Sequence, residues 1–208
     1  MEERNTTLFK NLNMIYQAEV AMLVSIILLI ILIISLVSRF MVLIVANISM
    51  IVVFVMLIAA IINIVALVGL RNVHKDYYSA IGMLVLGVLL GLFGRGEGTT
   101  AFLFGTGSSV AKLLQSYLII RATNSLLTEL ETEQEKTVRR GKLVWKLYLL
   151  NALVGFATGV VPMEDNLMLM LTILVITLSL GVVAAVFNVI YLKAGSEAFR
   201  DAIPPETA

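Results

Sequence analysis

The chain has 208 residues, of which 60% are hydrophobic and 14% are charged, and it contains no cysteine. A typical soluble domain carries about 25% charged residues, so this composition predicts an all-α integral membrane protein with the lipid bilayer as its solvent. The net charge of +1 provides no basic field for nucleic acid. The missing cysteines exclude disulfides, thiol catalysis and thiolate metal sites.

One transmembrane domain, residues 18–193, is predicted between two polar ends. Its apolar stretches predict six spans at about 18–38, 41–70, 79–94, 100–122, 143–161 and 167–192. In residues 1–17, Leu8, Leu12 and Ile15 recur at i, i+4 and i+7, which predicts a short amphipathic helix on the membrane surface. Residues 194–208 are expected to be a disordered cytosolic tail.

The only long hydrophilic segment inside this domain is residues 124–142. Its first half is acidic and its second half is basic, and Glu135 and Arg139 form a favourable i, i+4 pair. Glycine is typical of helix ends, so we expect a cytosolic helical insert that turns back near Gly141. The charges either form a solvated face or bind a cytosolic partner.

The basic residues predict the orientation in the membrane. Of the 15 lysines and arginines, twelve fall on the side of the termini if the chain crosses six times. Only Arg39 and Arg95 fall on the opposite side, and Lys112 lies within the fourth span. Because basic residues concentrate on the cytoplasmic side, this distribution predicts that both termini face the cytosol.

The spans also suggest three repeated helical hairpins. The odd-numbered spans each begin near an aromatic residue: Tyr16, Tyr77 and Trp145. The even-numbered spans each carry an amide towards the cytosolic end: Asn63, Gln115 and Asn188. The alternative interpretation is that all cytosolic helix ends look alike because of their position at the membrane interface.

Small residues four positions apart predict close helix packing in the third, fourth and fifth spans. These positions are Gly87, Gly91, Gly105, Gly155 and Gly159. Such faces let helix backbones approach closely, whereas the first span, rich in isoleucine and leucine, is expected to face lipid. The same faces are suited to association with a second copy or with another membrane protein.

Lys112, near the middle of the fourth span, is the strongest functional signal. At helical spacing it shares one side of the helix with Gly105, Ser109 and Ser116. A lysine at the bilayer centre costs about 3 kcal/mol, so we expect a compensating environment. Three interpretations are open: a structural lock with serines, backbone carbonyls or Glu19; a solute contact in a wet cavity; or snorkelling to the membrane surface.

We expect a solute-binding cavity to be lined by Lys112 and nearby polar residues of several spans. The candidates are Ser108, Ser109, Gln115, Ser116, Asn63, Asn151 and Asn188. A lysine repels cations and no acidic ring is present, which disfavours a cation channel. The sequence therefore predicts a small transporter or channel-like protein for a polar or anionic solute. The alternative is a non-catalytic membrane subunit or scaffold that binds partners.

No enzyme, metal site or cofactor is expected. The only histidine, His74, lies in a loop without an acidic or cysteine cluster at ligand spacing. The expected surroundings are the lipid bilayer, with no nucleic acid. Short loops and the lack of targeting signals favour a prokaryotic plasma membrane, with an internal organelle membrane as the alternative.

Overall fold

The computed structural model describes residues 2–37, 42–94, 99–130, 134–160 and 167–204. Six α-helices fill these ranges: α1 Glu2–Val37, α2 Val42–Leu70, α3 Lys75–Phe93, α4 Thr99–Thr128, α5 Glu135–Val160 and α6 Leu167–Asp201. No strand occurs in these ranges. The turns expected at Arg39, at 95–98 and at 162–165 lie outside the described residues.

Within the described residues, four helices are long and apolar enough to cross a membrane: α1, α2, α3 and α6. The other two are more polar. Helix α4 carries Lys112 and Gln115 among several serines and threonines, and α5 begins with a charged stretch, residues 135–146. The described chain is thus all-helical and has the apolar helices of a membrane protein.

The helices form a closed ring. Each helix contacts its neighbours in the chain, and α6 packs back against α1. Contacts are most extensive between α3 and α4 and between α1 and α2, while α4 and α6 touch only weakly across the ring. A closed ring of this kind has one interior that all six helices surround.

The two ends of the ring differ in burial. We call the end with the start of α1 and the end of α6 the basal end, and the opposite end the distal end. The basal end holds a dense apolar core that includes Leu12, Leu70, Leu126 and Phe199, all at most 1% exposed. The distal halves instead expose large apolar side chains, as at Met50, which is 74% exposed. An extensive exposed apolar surface is suited to lipid.

The separate N-terminal surface helix predicted for residues 1–17 is wrong, because Glu2–Val37 is one continuous helix. Leu8, Leu12 and Ile15 are buried in the basal core, so their apolar stripe packs on protein and not on lipid. The Arg4 guanidinium also pairs with Glu129 at 2.9 Å. The first span was expected to face lipid, but α1 packs extensively on α2 and α6. It exposes large apolar side chains only from Val24 onwards.

The disordered tail predicted from residue 194 is also wrong for the part that the structure describes. Helix α6 continues to Asp201, and Ala198 and Phe199 are buried. Together with Tyr191 they fall at i, i+7 and i+8, on one helical face that packs into the basal core. The Asn5 side chain donates a hydrogen bond to the Ala202 carbonyl at 3.4 Å, which ties the two terminal segments together. Residues 205–208 lie outside the described part.

The predicted turn near Gly141 lies elsewhere. Helix α4 ends at Thr128 and α5 begins at Glu135, so the break between the helices falls at 129–134 and Gly141 is inside α5. A Cβ atom on Gly141 would stand 2.7 Å from Asn124 Oδ1 and 2.8 Å from Cε2 of Tyr191. Glycine is needed here for the close approach of α5 to α4 and α6, and it does not end a helix.

A buried polar network links α3, α4 and α6 beside Gly141. The hydroxyls of Tyr77 and Thr123 are hydrogen-bonded at 2.8 Å. The Tyr191 hydroxyl donates to Asn124 Oδ1 at 2.9 Å. Because buried hydroxyls are costly when unpaired, this network fixes the relative register of the three helices. The basal end is therefore a rigid base for the more open distal half.

Helix α3 begins at Lys75, four residues before the predicted span. The His74 side chain caps it by accepting a hydrogen bond from the Asp76 amide at 3.2 Å. The buried Asp76 carboxylate lies 3.3 Å from Nε of Arg121 on α4. His74 therefore caps the start of α3, and Arg121 joins α4 to α3 through Asp76.

Candidate functional site

Two cavities meet at Lys112. The first, which we call the central cavity, has a volume of about 450 Å³ and is lined by residues of all six helices. The second, which we call the lateral cleft, has a volume of about 720 Å³ and lies between α4 and α5, with Thr177 of α6. Lys112, Ser116 and Tyr148 line both. These three residues therefore form the junction between the two spaces.

The two cavities lie at different levels of the ring. The central cavity reaches towards the basal end, as far as Ile15 and Leu192. The lateral cleft reaches towards the distal end, as far as Phe102 and Phe156. Phe156 is 52% exposed, so the cleft is open at the surface of the ring.

The central cavity contains a partly buried carboxylate, Glu19 of α1. Asn63 of α2 donates a hydrogen bond to Glu19 Oε1 at 3.5 Å, and the Asn188 side chain of α6 forms a second one. The Asn63 Oδ1 atom is buried and has no hydrogen-bond partner among the described residues. Glu19 therefore joins three helices, and an unpaired acceptor lies next to its carboxylate.

The Lys112 side chain is exposed to the cavities. Among the described residues, its ammonium forms no ion pair with a carboxylate within 4.0 Å. The Ser116 hydroxyl donates to the Lys112 carbonyl at 3.1 Å, and the Ser109 hydroxyl donates to the Gly105 carbonyl at 3.1 Å. No hydrogen bond from the Lys112 ammonium to a serine hydroxyl or to Glu19 is found among the described residues, so the lock with serines or Glu19 is not formed there.

Most of the predicted polar residues line one cavity or the other. Gln115, Asn63 and Asn188 line the central cavity, Ser109 and Asn151 line the lateral cleft, and Ser116 lines both. Asn151 resembles Asn63, because its Oδ1 atom is buried without a described partner. Two cavities thus each contain an unsatisfied amide oxygen, which is a place for water or for a polar ligand.

Ser108 lies outside both cavities, contrary to prediction. It is only 7% exposed, and its hydroxyl donates to the Gly87 carbonyl of α3 at 2.7 Å. It belongs to the stripe of α4 next to that of Lys112, and this stripe faces α3. Its role is to join two helices.

The predicted packing glycines fall into two groups. Gly87 and Gly91 lie against α4, where an added Cβ would stand 3.4 Å from Ala111 Cβ and 3.1 Å from Ser108 Oγ, respectively. At Gly105 and Gly155 an added Cβ would meet no atom within 4 Å, and both line the lateral cleft. The close packing predicted for Gly155 is therefore not seen, whereas the backbone of Gly105 does lie close to α3, because a Cβ on Gly94 would stand 2.8 Å from Gly105 N.

The surroundings of Gly159 lie outside the described residues, although its backbone belongs to α5.

The predicted insert, residues 124–142, is only partly exposed. Leu126, Leu127 and Thr137 of this segment are buried. The exposed residues include Glu129 and Glu135 and a group of basic side chains on α5 that continues beyond the segment: Lys136, Arg139, Lys142 and Lys146.

Glu19 is absent from the predicted cavity-lining residues, although it hydrogen-bonds with Asn63 and Asn188 in the central cavity. It is the only acidic residue in the first predicted span, residues 18–38. That isolation is the signal that could have placed it in a polar interior.

The described residues contain no cluster of three or more histidine, aspartate or glutamate side chains that could hold a metal ion. Comparisons with protein families, with curated proteins and with solved structures found no match to this chain.

Proposed function

We propose that this protein is a six-span membrane protein, with both termini in the cytosol, that moves a small polar solute through its ring of helices. The four apolar helices and the one-sided distribution of basic residues support this arrangement. Helices α4 and α5 complete the six spans. The lower hydropathy of α4 reflects in part the polar side chains with which it lines the two cavities, whereas that of α5 comes mainly from its charged first part, residues 135–146.

The observation that carries the proposal is the position of Lys112 at the junction of the two cavities. A solute that passes from the central cavity to the lateral cleft meets the Lys112 ammonium, Ser116 and the Tyr148 side chain. A membrane-embedded lysine is costly without compensation, and contact with water or with a solute supplies that compensation. The positive charge favours solutes that carry a negative group and opposes simple cations.

The three hairpins, α1–α2, α3–α4 and α5–α6, form the transport unit in this proposal, and the protein resides in a prokaryotic plasma membrane. Each hairpin packs internally and against the next, and α6 closes the ring on α1. No catalytic step or cofactor is needed for this function. A ring of this kind moves solute by changing the access to its interior.

A second candidate function is a scaffold that binds an acidic cytosolic protein. The exposed basic face of α5, which includes Lys136, Arg139 and Lys142, favours it. Its side chains have no role in the cavity proposal. The two functions therefore make different demands: the scaffold needs this face, whereas transport needs the junction at Lys112.

Flux through the purified full-length protein in liposomes tests the transport proposal. We expect liposomes that contain the protein to swell faster than protein-free liposomes in iso-osmotic amino acids, and in potassium salts of small carboxylates when valinomycin carries the potassium. Choline thiocyanate, whose anion crosses lipid unaided, should give no increase. If no solute in the panel enters faster than in protein-free liposomes, the transport proposal is wrong and the scaffold function is favoured.

A further inference from the structure

The central cavity contains one carboxylate and one ammonium that do not neutralise each other. Glu19 and Lys112 are the only charged residues in its described lining. They form no ion pair within 4.0 Å. Within the described lining Glu19 is hydrogen-bonded only to neutral amides and Lys112 has no carboxylate partner, so each charge is left without an opposite charge to pair with. A ligand with complementary charges at its two ends satisfies both.

The surroundings of Glu19 in the central cavity can accept hydrogen bonds. A carboxylate has room for about four hydrogen bonds, and Glu19 accepts two, one from Asn63 and one from Asn188. The buried Asn63 Oδ1 atom lies beside it without a described partner. A primary ammonium has three N–H donors, and these match the Glu19 carboxylate together with the Asn63 oxygen.

Lys112 and its neighbours in the same cavity can donate hydrogen bonds. The Lys112 ammonium has no ion-pair partner within 4.0 Å among the described residues. The Gln115 amide lines the same cavity and can donate as well. Donors of this kind, one of them charged, bind a carboxylate.

We propose that the central cavity binds a small zwitterion, with its ammonium at Glu19 and Asn63 and its carboxylate at Lys112. This inference rests on the proposed transport function and narrows its solute to the chemical class of free amino acids. The apolar lining around the charges, for example Met22, Ile64 and Leu84, suits an apolar side chain. The cavity volume of about 450 Å³ limits the solute to a small molecule.

The same geometry disfavours three related classes of solute. A simple carboxylate pairs with Lys112 but leaves Glu19 without a cation. A simple amine pairs with Glu19 but leaves Lys112 without an anion. A quaternary ammonium has no N–H donor, and such groups are usually bound by several aromatic rings. The described lining of the cavity contains one aromatic residue, Tyr148.

Binding of L-leucine to the purified full-length protein tests this proposal. N-acetyl-L-leucine, which keeps only the carboxylate, and L-leucinamide, which keeps only the ammonium, serve as matched probes. We expect L-leucine to bind at least tenfold more tightly than either derivative, and N,N,N-trimethyl-leucine to bind as weakly as the N-acetyl compound.

Two variants should change which of the three ligands the cavity binds best. Glu19→Gln should weaken L-leucine at least tenfold and strengthen N-acetyl-L-leucine, because the repelling carboxylate is gone. Lys112→Met should weaken L-leucine similarly and strengthen L-leucinamide. A merely structural role for either residue would weaken all ligands together. If Glu19→Gln does not fold, Asn63→Ala provides the test, since it should weaken L-leucine and L-leucinamide severalfold and leave N-acetyl-L-leucine unchanged.

The outcomes separate this inference from the transport proposal. If N-acetyl-L-leucine binds as tightly as L-leucine while simple anions still enter liposomes in a Lys112-dependent manner, the zwitterion proposal is wrong and transport stands. If the variants weaken all three ligands equally, the assignment of the two ends is also wrong. Absence of binding and of flux for every probe would overturn both proposals.

Discussion

Replacing Lys112 with methionine is expected to lower solute flux through the protein at least tenfold while the helices stay folded. The change removes the ammonium at the junction of the two cavities and keeps a side chain of similar length. A hydrogen bond to a charged group contributes about 1.5–3 kcal/mol, and about 1.4 kcal/mol corresponds to a factor of ten. Initial rates in the liposome swelling assay measure the effect.

Lys146→Met is the matched control for this prediction. Lys146 is an exposed lysine on α5 that lines neither the central cavity nor the lateral cleft. We expect solute flux through the Lys146→Met protein to equal that of the wild type within twofold. Equal flux in Lys112→Met and Lys146→Met would show that the ammonium at the junction has no role in solute passage.

Replacing Gly141 with alanine is expected to destabilise the protein by about 2 kcal/mol, the typical cost of overpacking a core. The new methyl group would stand within 2.8 Å of both the Asn124 amide and the Tyr191 ring. Neither neighbour moves easily, because the Tyr191 hydroxyl is hydrogen-bonded to Asn124 Oδ1 at 2.9 Å. A loss of this size lowers the midpoint of thermal unfolding by roughly 5 °C.

The fluorescence of Trp145, the only tryptophan of the chain, can follow this unfolding in detergent micelles. Trp145 packs against Tyr117 with ring centroids 4.8 Å apart, one turn after Gly141 on the same helix. Gly155→Ala is the matched control, because an added Cβ there meets no atom within 4 Å. Equal midpoints for the two variants would contradict the close contact of α5 with Asn124 and Tyr191.

The periodicity of the sequence located apolar faces correctly, but it could not show what covers them. Leu8, Leu12 and Ile15 form an apolar stripe that lipid or protein could equally cover, and the packing of α2 and α6 on α1 decides for protein. Phe199 belongs to the same basal core, although it is separated from Leu8 by almost the whole chain. Contacts this distant in sequence leave no local signal.

Glycine shows the same limit in a different form. Local rules treat Gly141 as a helix end, whereas its actual constraint comes from Asn124 and Tyr191 on other helices. Gly155 was interpreted as a packing position, yet it borders open space. In contrast, the sequence could single out Lys112 as a residue that needs a compensating environment, because a charge within a long apolar segment is costly wherever its neighbours lie.

Chemical labelling of a cysteine at position 112 tests the central claim most directly, namely that an aqueous path reaches the middle of α4. The chain lacks cysteine, so Lys112→Cys introduces a single reactive thiol for a membrane-impermeant reagent applied to intact cells and to inverted vesicles. Phe54→Cys, at an exposed apolar position of α2, should stay unlabelled in lipid. Glu97→Cys should react only from outside, and Lys193→Cys only from inside.

We expect the thiol at position 112 to be labelled from at least one side of the membrane, as water in the central cavity or the lateral cleft requires. Protection of this thiol from both sides, while Glu97→Cys and Lys193→Cys react as the topology demands, would contradict the account. Lys112 would then lie in a dry part of the ring, and the solute path would have no support.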